Sequence, residues 1–228
     1  MTDYYAAPFS KYFRQAAIAV LPFIIIVTLA IAIPDRLQSF DENLLLTIYN
    51  SGGPLLDQIV TTYTDLAGPQ TITVLTILLW LTYRYYLKKP RVANWFVVTV
   101  VIAFGILNSM VKYIVMRPRP SVVPHLIEQG GFSFPSGHSC GSMIFYGALA
   151  VLLFERYKDK KWGRRLAGFV LTFFPITIAL SRLYLGVHYP SDTVAGLSLG
   201  ATTLIIATAY LRNVILIEEE NDLNLHSD

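Results

Sequence analysis

Long runs of apolar residues alternate with short polar segments, most of them basic, through most of the 228-residue chain. A helix needs about 20 predominantly apolar residues to cross the hydrocarbon core of a bilayer. Six segments approach or meet that length, and they cover residues 16–34, 70–87, 93–115, 138–157, 166–185 and 190–211. The fourth begins with small and polar residues, which suit a helix that packs against other helices. The pattern predicts an all-α polytopic membrane protein with six transmembrane helices.

The stretch between the first two predicted spans has a weaker apolar pattern. Leu44, Leu45 and Ile48 fit a short amphipathic helix in the membrane interface, and the apolar residues from Leu55 onward also fit an extension of the second span. The sequence leaves both open. The first span lacks a short basic segment before it and a cleavage site after it, which indicates a retained helix. No repeat or linker divides the chain, so a single domain over residues 1–228 is predicted.

The distribution of Lys and Arg predicts the orientation of the helices. Thirteen of the eighteen cations fall in the N-terminal segment, in the loops after the second and fourth spans, and in the C-terminal segment. Positive residues in short loops stay on the cytoplasmic side. Both termini are therefore predicted to be cytoplasmic, in a multi-pass protein of the plasma membrane. The acidic C-terminal tail is expected to be a mobile cytoplasmic end.

Composition supports this class and removes several others. The chain is 54% hydrophobic and only 14% charged, with a mean hydropathy of +0.50, whereas a soluble domain carries about 25% charged residues. Disordered and coiled-coil proteins are excluded because both are rich in charge. The single cysteine, Cys140, excludes an intrachain disulfide, and with four scattered histidines it disfavours zinc and iron–sulfur sites.

Three polar segments on the predicted outer side combine cations with histidines. They contain Lys112, Arg119 and Pro120; then Pro135, Ser136, Gly137 and His138; and last Ser181, Arg182, His188 and Asp192. Ionisable residues in or beside membrane spans are candidates for function. A Lys or Arg near a helix end also commonly extends its charged group to the headgroups. Neither interpretation is decided by one cation alone.

His188 and Asp192 form the most informative pair. A spacing of four residues places both on one face of a helical turn, with Pro190 in the first turn, where its missing N–H is not needed. A carboxylate that accepts a hydrogen bond from one imidazole nitrogen leaves the other nitrogen free to attack or to take a proton. The alternative is an ordinary helix N-terminus capped by Ser191 or Asp192, with His188 as an interfacial aromatic residue.

The segment from Pro135 to His138 is typical of a helix N-terminus. Ser136 is a good cap residue, and Gly137 leaves the backbone open to close approach. The N–H groups of the first turn and the helix dipole together favour an anion. His138 is either a structural residue or, beside a bound phosphate, a general acid.

The cations Lys112, Arg119 and Arg182 would surround the same anion. A cation about 4 Å from an anion gains about 4 kcal/mol at an effective dielectric constant of about 20, and charge stabilisation is the main requirement of phosphoryl transfer. Metal ligation is not indicated, because the outer carboxylates form no clustered pattern. These carboxylates are Asp35, Asp41, Glu42, Asp57, Asp65 and Glu128. No P-loop and no cofactor are predicted. His125 and His226 are interpreted as surface residues.

Taken together, the three segments resemble the signature motifs of the type-two phosphatidic acid phosphatase superfamily, which includes lipid phosphatases and vanadium haloperoxidases. The resemblance implies a six-helix membrane phosphatase in which His188 becomes phosphorylated, His138 protonates the leaving oxygen and Asp192 orients His188. The phosphate would be held by Lys112, Arg119, Ser136, Gly137 and Arg182. The hydrophobic spans disfavour the soluble haloperoxidase branch.

The expected function is therefore a metal-independent lipid phosphatase whose site faces outward. Undecaprenyl diphosphate, phosphatidylglycerophosphate and phosphatidic acid fit the sequence equally well as substrates. A phosphotransferase that passes the phosphoryl group to an acceptor lipid or sugar is an alternative. A transporter or scramblase that only binds lipid headgroups is another, although it has no use for the His188 and Asp192 pair. The expected partners are the bilayer and the lipid substrate, with no nucleic acid.

Overall fold

The computed structural model describes residues 7–49 and 52–225, and the regular structure in this part of the chain is helical. The helices are α1 (Phe9–Ala19), α2 (Leu21–Ala32), α3 (Pro34–Ile48), α4 (Pro54–Thr64), α5 (Pro69–Leu81), α6 (Pro90–Val100), α7 (Asn108–Val115), α8 (Gly137–Tyr157), α9 (Lys161–Tyr184), α10 (Pro190–Tyr210) and α11 (Leu216–Leu225). Wider π-helical turns continue α5, join α6 to α7 and join α10 to α11.

The all-helical, multi-pass architecture predicted from the sequence is confirmed. In the described part of the chain five helical segments are long and apolar enough to cross a membrane, and α4 with α5 make a sixth if this pair, bent by 46°, counts as one span. The other segments are Phe9–Ala32, Pro90–Val115, Gly137–Tyr157, Lys161–Tyr184 and Pro190–Glu219.

Two helical segments extend beyond the apolar runs from which the spans were predicted. The first span begins at Phe9 rather than at residue 16, and the fifth begins at Lys161 rather than at residue 166. In both cases the helix extends through polar residues that an apolar run does not include. The segment before the second span forms two helices rather than one extension, because the chain bends at Gly68 between α4 and α5.

Proline marks the start of α3, α4, α5, α6 and α10. The first residue of a helix suits proline, because its fixed φ is helical and its missing N–H would have no partner within the helix. The end of α7 is set differently. Met116 adopts the left-handed conformation with φ 48°, and its N–H donates to Lys112 O at 2.9 Å. This turn, followed by Pro118, directs Arg117 and Arg119 out of the helix axis.

Helices α8, α9 and α10 form the centre of the bundle. Two glycines on α10 allow α8 to come close: a Cβ at Gly196 would lie 2.5 Å from Ser136 O, and one at Gly200 would lie 2.9 Å from Cys140 O. Small residues permit this close approach of membrane helices. As a result, the N-termini of α8 and α10, which carry the second and third sequence motifs, lie side by side.

The acidic C-terminal segment, expected from the sequence to be a mobile end, continues the helical structure. Residues as far as Leu225 belong to α11, and Glu219 accepts a hydrogen bond from Lys89 Nζ at 3.0 Å. The predicted surface residue His226 lies outside the described residues. At the same end of the bundle, Arg212 donates to Glu155 Oε1 at 2.6 Å and contacts Tyr12 of α1. Charge pairing with the basic loops accounts for the ordered helix.

Candidate active site

The second and third motifs meet through the first turns of α8 and α10. Ser136 is the N-cap of α8, as predicted, and its Oγ accepts a hydrogen bond from Ser139 N at 3.4 Å. The backbone N–H of Ser136 donates to Asp192 O at 3.0 Å. Gly137 and His138 therefore begin a helix whose free N–H groups lie beside the start of α10. Such a position favours an anion.

His188 lies just before α10 and is only 2% exposed. Its Nδ1 lies 3.5 Å from Asp192 Oδ2 and 3.3 Å from Ser133 Oγ, and its Nε2 lies 3.3 Å from Arg119 Nη1. With an acceptor carboxylate on one side and a guanidinium donor on the other, the ring is assigned as the Nδ1–H tautomer, in which Nε2 carries the lone pair and faces Arg119. The carboxylate of Asp192 therefore fixes the orientation of this imidazole.

Burial governs the charge of this imidazole. Desolvation lowers the pKa of His188 to about 3, against the opposite effect of Asp192, and the nearby cations Arg182 and Arg119 lower it further. His188 is therefore neutral at ordinary pH. A neutral imidazole is required of a nucleophile, because a protonated ring has no lone pair to donate.

The three predicted phosphate-binding cations converge on the same place. Arg182, Arg119 and Lys112 all lie within electrostatic range of His138, as does His188. Arg182 is completely buried at the end of α9, and its Nε has no hydrogen-bond partner among the described residues. A buried guanidinium with a free N–H is costly unless an anion completes it. This is the strongest geometric sign of a ligand site.

Oxygen atoms of one short loop segment, residues 129–132, show where the cations are aimed. Lys112 Nζ donates to Phe132 O at 2.8 Å, and Arg119 Nη2 donates to Gly130 O at 2.9 Å. Arg182 Nη2 donates to the side-chain oxygen of Gln129 at 2.7 Å. Donors from three separate elements thus already point at a cluster of oxygen acceptors, which is the arrangement that a phosphate group requires.

Sequence reasoning missed three residues that contact this site. Ser133 lies between His188 and Asp192 and donates a short hydrogen bond to Asp192 Oδ2. Arg117 Nη1 donates to Asp192 Oδ1 at 2.8 Å, and Arg117 Nη2 donates to Asp41 Oδ2 at 2.7 Å. The sequence held one signal for Asp41. With Leu37 and Leu45 it forms the buried i, i+4, i+8 stripe of α3, and a carboxylate on such a stripe needs a partner.

The structure also settles the ambiguous interpretations of single residues. Asp192 is both a cap and a partner of histidine, because Oδ2 accepts a hydrogen bond from Tyr189 N at 2.9 Å while lying beside His188. His125 is exposed, as predicted, and hydrogen-bonds Pro120 O at 2.7 Å. The carboxylates are dispersed: in the described residues no group of three or more His, Cys, Asp or Glu side chains could hold a metal ion.

Comparison with known proteins gives a consistent result. The family model described as the PAP2 superfamily matches residues 93–215, which include all three motifs. Phosphatidylglycerophosphatase B of Bacillus subtilis is 27% identical over 192 residues, which cover 82% of this chain and 92% of that protein. Lipid A 4'-phosphatase of Bacteroides thetaiotaomicron is 30% identical over 183 residues, covering 73% of this chain and 74% of that protein.

A solved structure shares the fold as well. The crystal structure of a transmembrane PAP2-type phosphatidylglycerolphosphate phosphatase from Bacillus subtilis superposes with a TM-score of 0.74. The match has 26% sequence identity and covers 86% of this chain and 96% of the other. The similarity therefore extends over the bundle and is not confined to the motifs.

Proposed function

The chain belongs to the PAP2 superfamily, and on that basis we propose that it is an integral membrane phosphatase that hydrolyses lipid phosphates or diphosphates through a phosphohistidine at His188. The observation that carries the proposal is the position of His188, whose Nδ1 faces Asp192 at 3.5 Å while its Nε2 faces Arg119 at 3.3 Å. A transporter that only binds headgroups would not require an imidazole oriented in this way.

In the first step, the Nε2 lone pair of neutral His188 attacks phosphorus, and the bond between phosphorus and the leaving oxygen breaks. His138, in its protonated form, gives its proton to that oxygen. Nδ1–H of His188 stays directed at Asp192, which stabilises the positive charge that develops on the ring. Lys112, Arg119 and Arg182 stabilise the charge on the equatorial oxygens, in place of the loop oxygens that they bind here.

In the second step, water replaces the lipid. Neutral His138 takes a proton from the water, whose oxygen attacks phosphorus. The P–N bond breaks, inorganic phosphate leaves, and His188 returns to its neutral state with His138 protonated again. Protons and phosphoryl groups balance over one cycle. The two histidines must begin with opposite protonation states, which predicts a bell-shaped dependence of rate on pH.

An apolar groove beside the site supports a lipid substrate. It has a volume of about 460 Å³ and lies between α5 and α6, with Ile72, Thr76, Val100 and Phe104 in its lining. Phe104 also packs beneath Gly137 and Gly141 at the start of α8. A headgroup held at the N-terminus of α8 would leave its acyl or prenyl tail next to this groove. The groove gives no length limit, so the three lipids predicted from the sequence remain candidates.

Metal independence is part of the proposal. It is supported by the chemistry of the site, in which guanidinium and ammonium groups supply the positive charge that metal ions supply in a two-metal phosphatase. The proposal also includes a location in the plasma membrane, with the site facing outward and both termini in the cytoplasm. This orientation is supported by the distribution of Lys and Arg along the sequence.

The test is release of inorganic phosphate by the purified protein in detergent, with phosphatidic acid, phosphatidylglycerophosphate, undecaprenyl diphosphate and a lipid A 4'-phosphate as substrates. We expect release from at least one lipid, unchanged by a chelator, and an acid-labile phosphoenzyme at His188 after rapid quenching. Dephosphorylation of the lipid only when an acceptor lipid or sugar is added, with the phosphoryl group recovered on that acceptor and not as inorganic phosphate, would indicate a phosphotransferase. Lipid binding without release of phosphate would contradict the proposal.

A further inference from the structure

A buried chain of charged groups connects α3 to the proposed nucleophile. Asp41 is completely buried and Arg117 is 8% exposed. Asp41 Oδ2 accepts hydrogen bonds from Arg117 Nη2 at 2.7 Å and from Ser191 Oγ at 2.5 Å, and Asp41 Oδ1 accepts from Ser191 N at 3.0 Å. Arg117 Nη1 in turn donates to Ser191 Oγ and to Asp192 Oδ1, both at 2.8 Å.

In this chain of charged groups, the two carboxylate oxygens of Asp192 have different partners. Oδ1 is held by Arg117, whereas Oδ2 faces His188 Nδ1, Ser133 Oγ and Tyr189 N. The planar guanidinium bridges two carboxylates in a geometry that the single ammonium of a lysine does not reproduce. Its carbon also lies 4.1 Å from the centre of the Tyr189 ring. The carboxylate of Asp192 therefore cannot rotate without breaking bonds to Arg117.

The buried charged groups do not cancel, because Asp41 and Asp192 carry two negative charges and Arg117 carries one positive charge. Two buried carboxylates share one guanidinium, and although burial lowers it, Asp192 and Asp41 raise the pKa of Arg117 above its ordinary value. Burying three charges together is expensive. A fold that needed only to anchor α3 to α10 would be served equally well by apolar packing, such as that of the neighbouring Leu37 and Leu45.

We propose that Asp41 and Arg117 are positioning residues, which act through Asp192 to hold His188 in the Nδ1–H tautomer with Nε2 facing the phosphate. This inference rests on the proposed function and adds two residues to it. It also makes α3, the helix expected to lie in the interface, a part of the active site. Neither residue touches the substrate, so their effect is on the rate of phosphoryl transfer and not on substrate affinity.

Two isosteric or near-isosteric substitutions change the net charge near Asp192 in opposite directions. Asp41→Asn removes a negative charge but keeps an oxygen that accepts from Arg117. Arg117→Gln removes the positive charge that Asp192 and Asp41 share. The other charged or titratable groups that face His188 stay constant: Asp192 from α10, Arg182 from α9, His138 from α8, and Arg119 from the loop after α7.

The expected result is a set of opposite shifts in the acid limb of the kcat/KM profile. Arg117→Gln removes the positive charge that offsets the Asp192 carboxylate, which raises the pKa of His188 and moves the limb up by about one pH unit. Asp41→Asn moves it down. Both variants lose kcat by about 10- to 100-fold while KM for the lipid stays within about threefold. Arg117→Lys keeps the charge but loses the fork, so kcat falls and the limb stays in place.

The matched control is Asp35→Asn, which removes an exposed carboxylate from the same helix and should change neither kcat nor the acid limb. Loss of kcat without opposite shifts would mean that the chain is only structural and would overturn the inference, as would unchanged kcat in both variants. If Asp41→Asn or Arg117→Gln fails to fold, Arg117→Lys decides by its kcat and KM alone. Absence of phosphatase activity in the unsubstituted protein would instead refute the proposed function.

Discussion

The two ends of the helical bundle use charge in different ways. At the end that carries the proposed active site, Asp41, Arg182 and Asp192 are completely buried. Both carboxylates accept hydrogen bonds from Arg117, and Arg182 donates one to Thr64 of α4. At the other end, the side chains of Lys89 and Arg91 are each 46% exposed and pair with Glu219 and Glu218 of α11. Buried charges retain strong interactions because water does not screen them, whereas exposed pairs contribute little.

The apolar grooves differ in the same way. The groove between α5 and α6 runs beneath Phe104 and Gly137, next to the proposed phosphate position. A second groove of about 440 Å³ lies between α1, α8, α9 and α10, where Arg164 and Arg212 mark the opposite end of the bundle. Similar volumes thus have different surroundings. The comparison predicts that equal substitutions at the two ends have unequal effects on catalysis.

The largest expected effect is at the proposed nucleophile. His188→Asn should lower kcat by about 10⁴-fold or more, because loss of a nucleophile leaves only binding and charge stabilisation. Phosphate release and the quenched phosphoenzyme are measured together. His125→Gln, at an exposed histidine, should stay within about threefold of the unsubstituted protein. Activity of His188→Asn near that of the control would contradict the mechanism.

The next effect is at a buried cation. Arg182→Lys should lower kcat by about 10²- to 10³-fold, because the Nε–H of the buried guanidinium has no partner among the described residues and is available to a phosphate, and a lysine cannot supply two donors in one plane. Arg91→Lys makes the same change at an exposed pair and should leave kcat unchanged. Steady-state kinetics on the preferred lipid compare them. Equal losses of kcat in Arg182→Lys and Arg91→Lys would contradict the difference proposed between the two ends of the bundle.

Filling one groove should give a smaller and more selective effect. Gly105 lines the groove beside the site, and a Cβ there would come no closer than 4.0 Å to Val101. Gly105→Leu should therefore raise KM for long-chain lipids by about tenfold while leaving a small water-soluble phosphate ester unaffected. Gly168→Leu occupies the groove at the other end, where a Cβ has open space, and should change neither constant. If Gly105→Leu changed KM equally for the long-chain lipid and for the water-soluble phosphate ester, the groove would have no role in binding the lipid tail.

The smallest effect concerns the exposed pair of Lys89 and Glu219. A double-mutant cycle of Lys89→Met and Glu219→Gln should give a coupling free energy of about 0.2–1 kcal/mol, measured from unfolding in detergent. The value should fall as salt is raised, because counterions reach Lys89, whose side chain is 46% exposed, although that of Glu219 is 13% exposed. A coupling well above this range, or one insensitive to salt, would place this pair among the buried interactions of the active-site end.

The spans were predictable because each depends on the composition of a continuous segment. Apolar runs mark helices that face lipid, and prolines such as Pro190 mark where helices begin. The helix ends were less predictable. The polar extension of the fifth span to Lys161 and the ordered helix α11 depend on contacts with other parts of the chain, such as that of Glu219 with Lys89, and such contacts leave no local signal.

Within the active site the same distinction holds. The amino-acid sequence by itself determined which residue types were present and how they were spaced, including the four-residue spacing of His188 and Asp192, which one helical turn brings together. Only the tertiary structure decided that Asp41 reaches Arg117 across 76 positions and that Ser133 lies between His188 and Asp192. It also decided that Arg182 Nε has no hydrogen-bond partner in the part of the chain that the structure describes. The physical reason is that periodicity acts over a few residues, whereas a buried charge is satisfied by whichever groups the packed helices bring within hydrogen-bond distance.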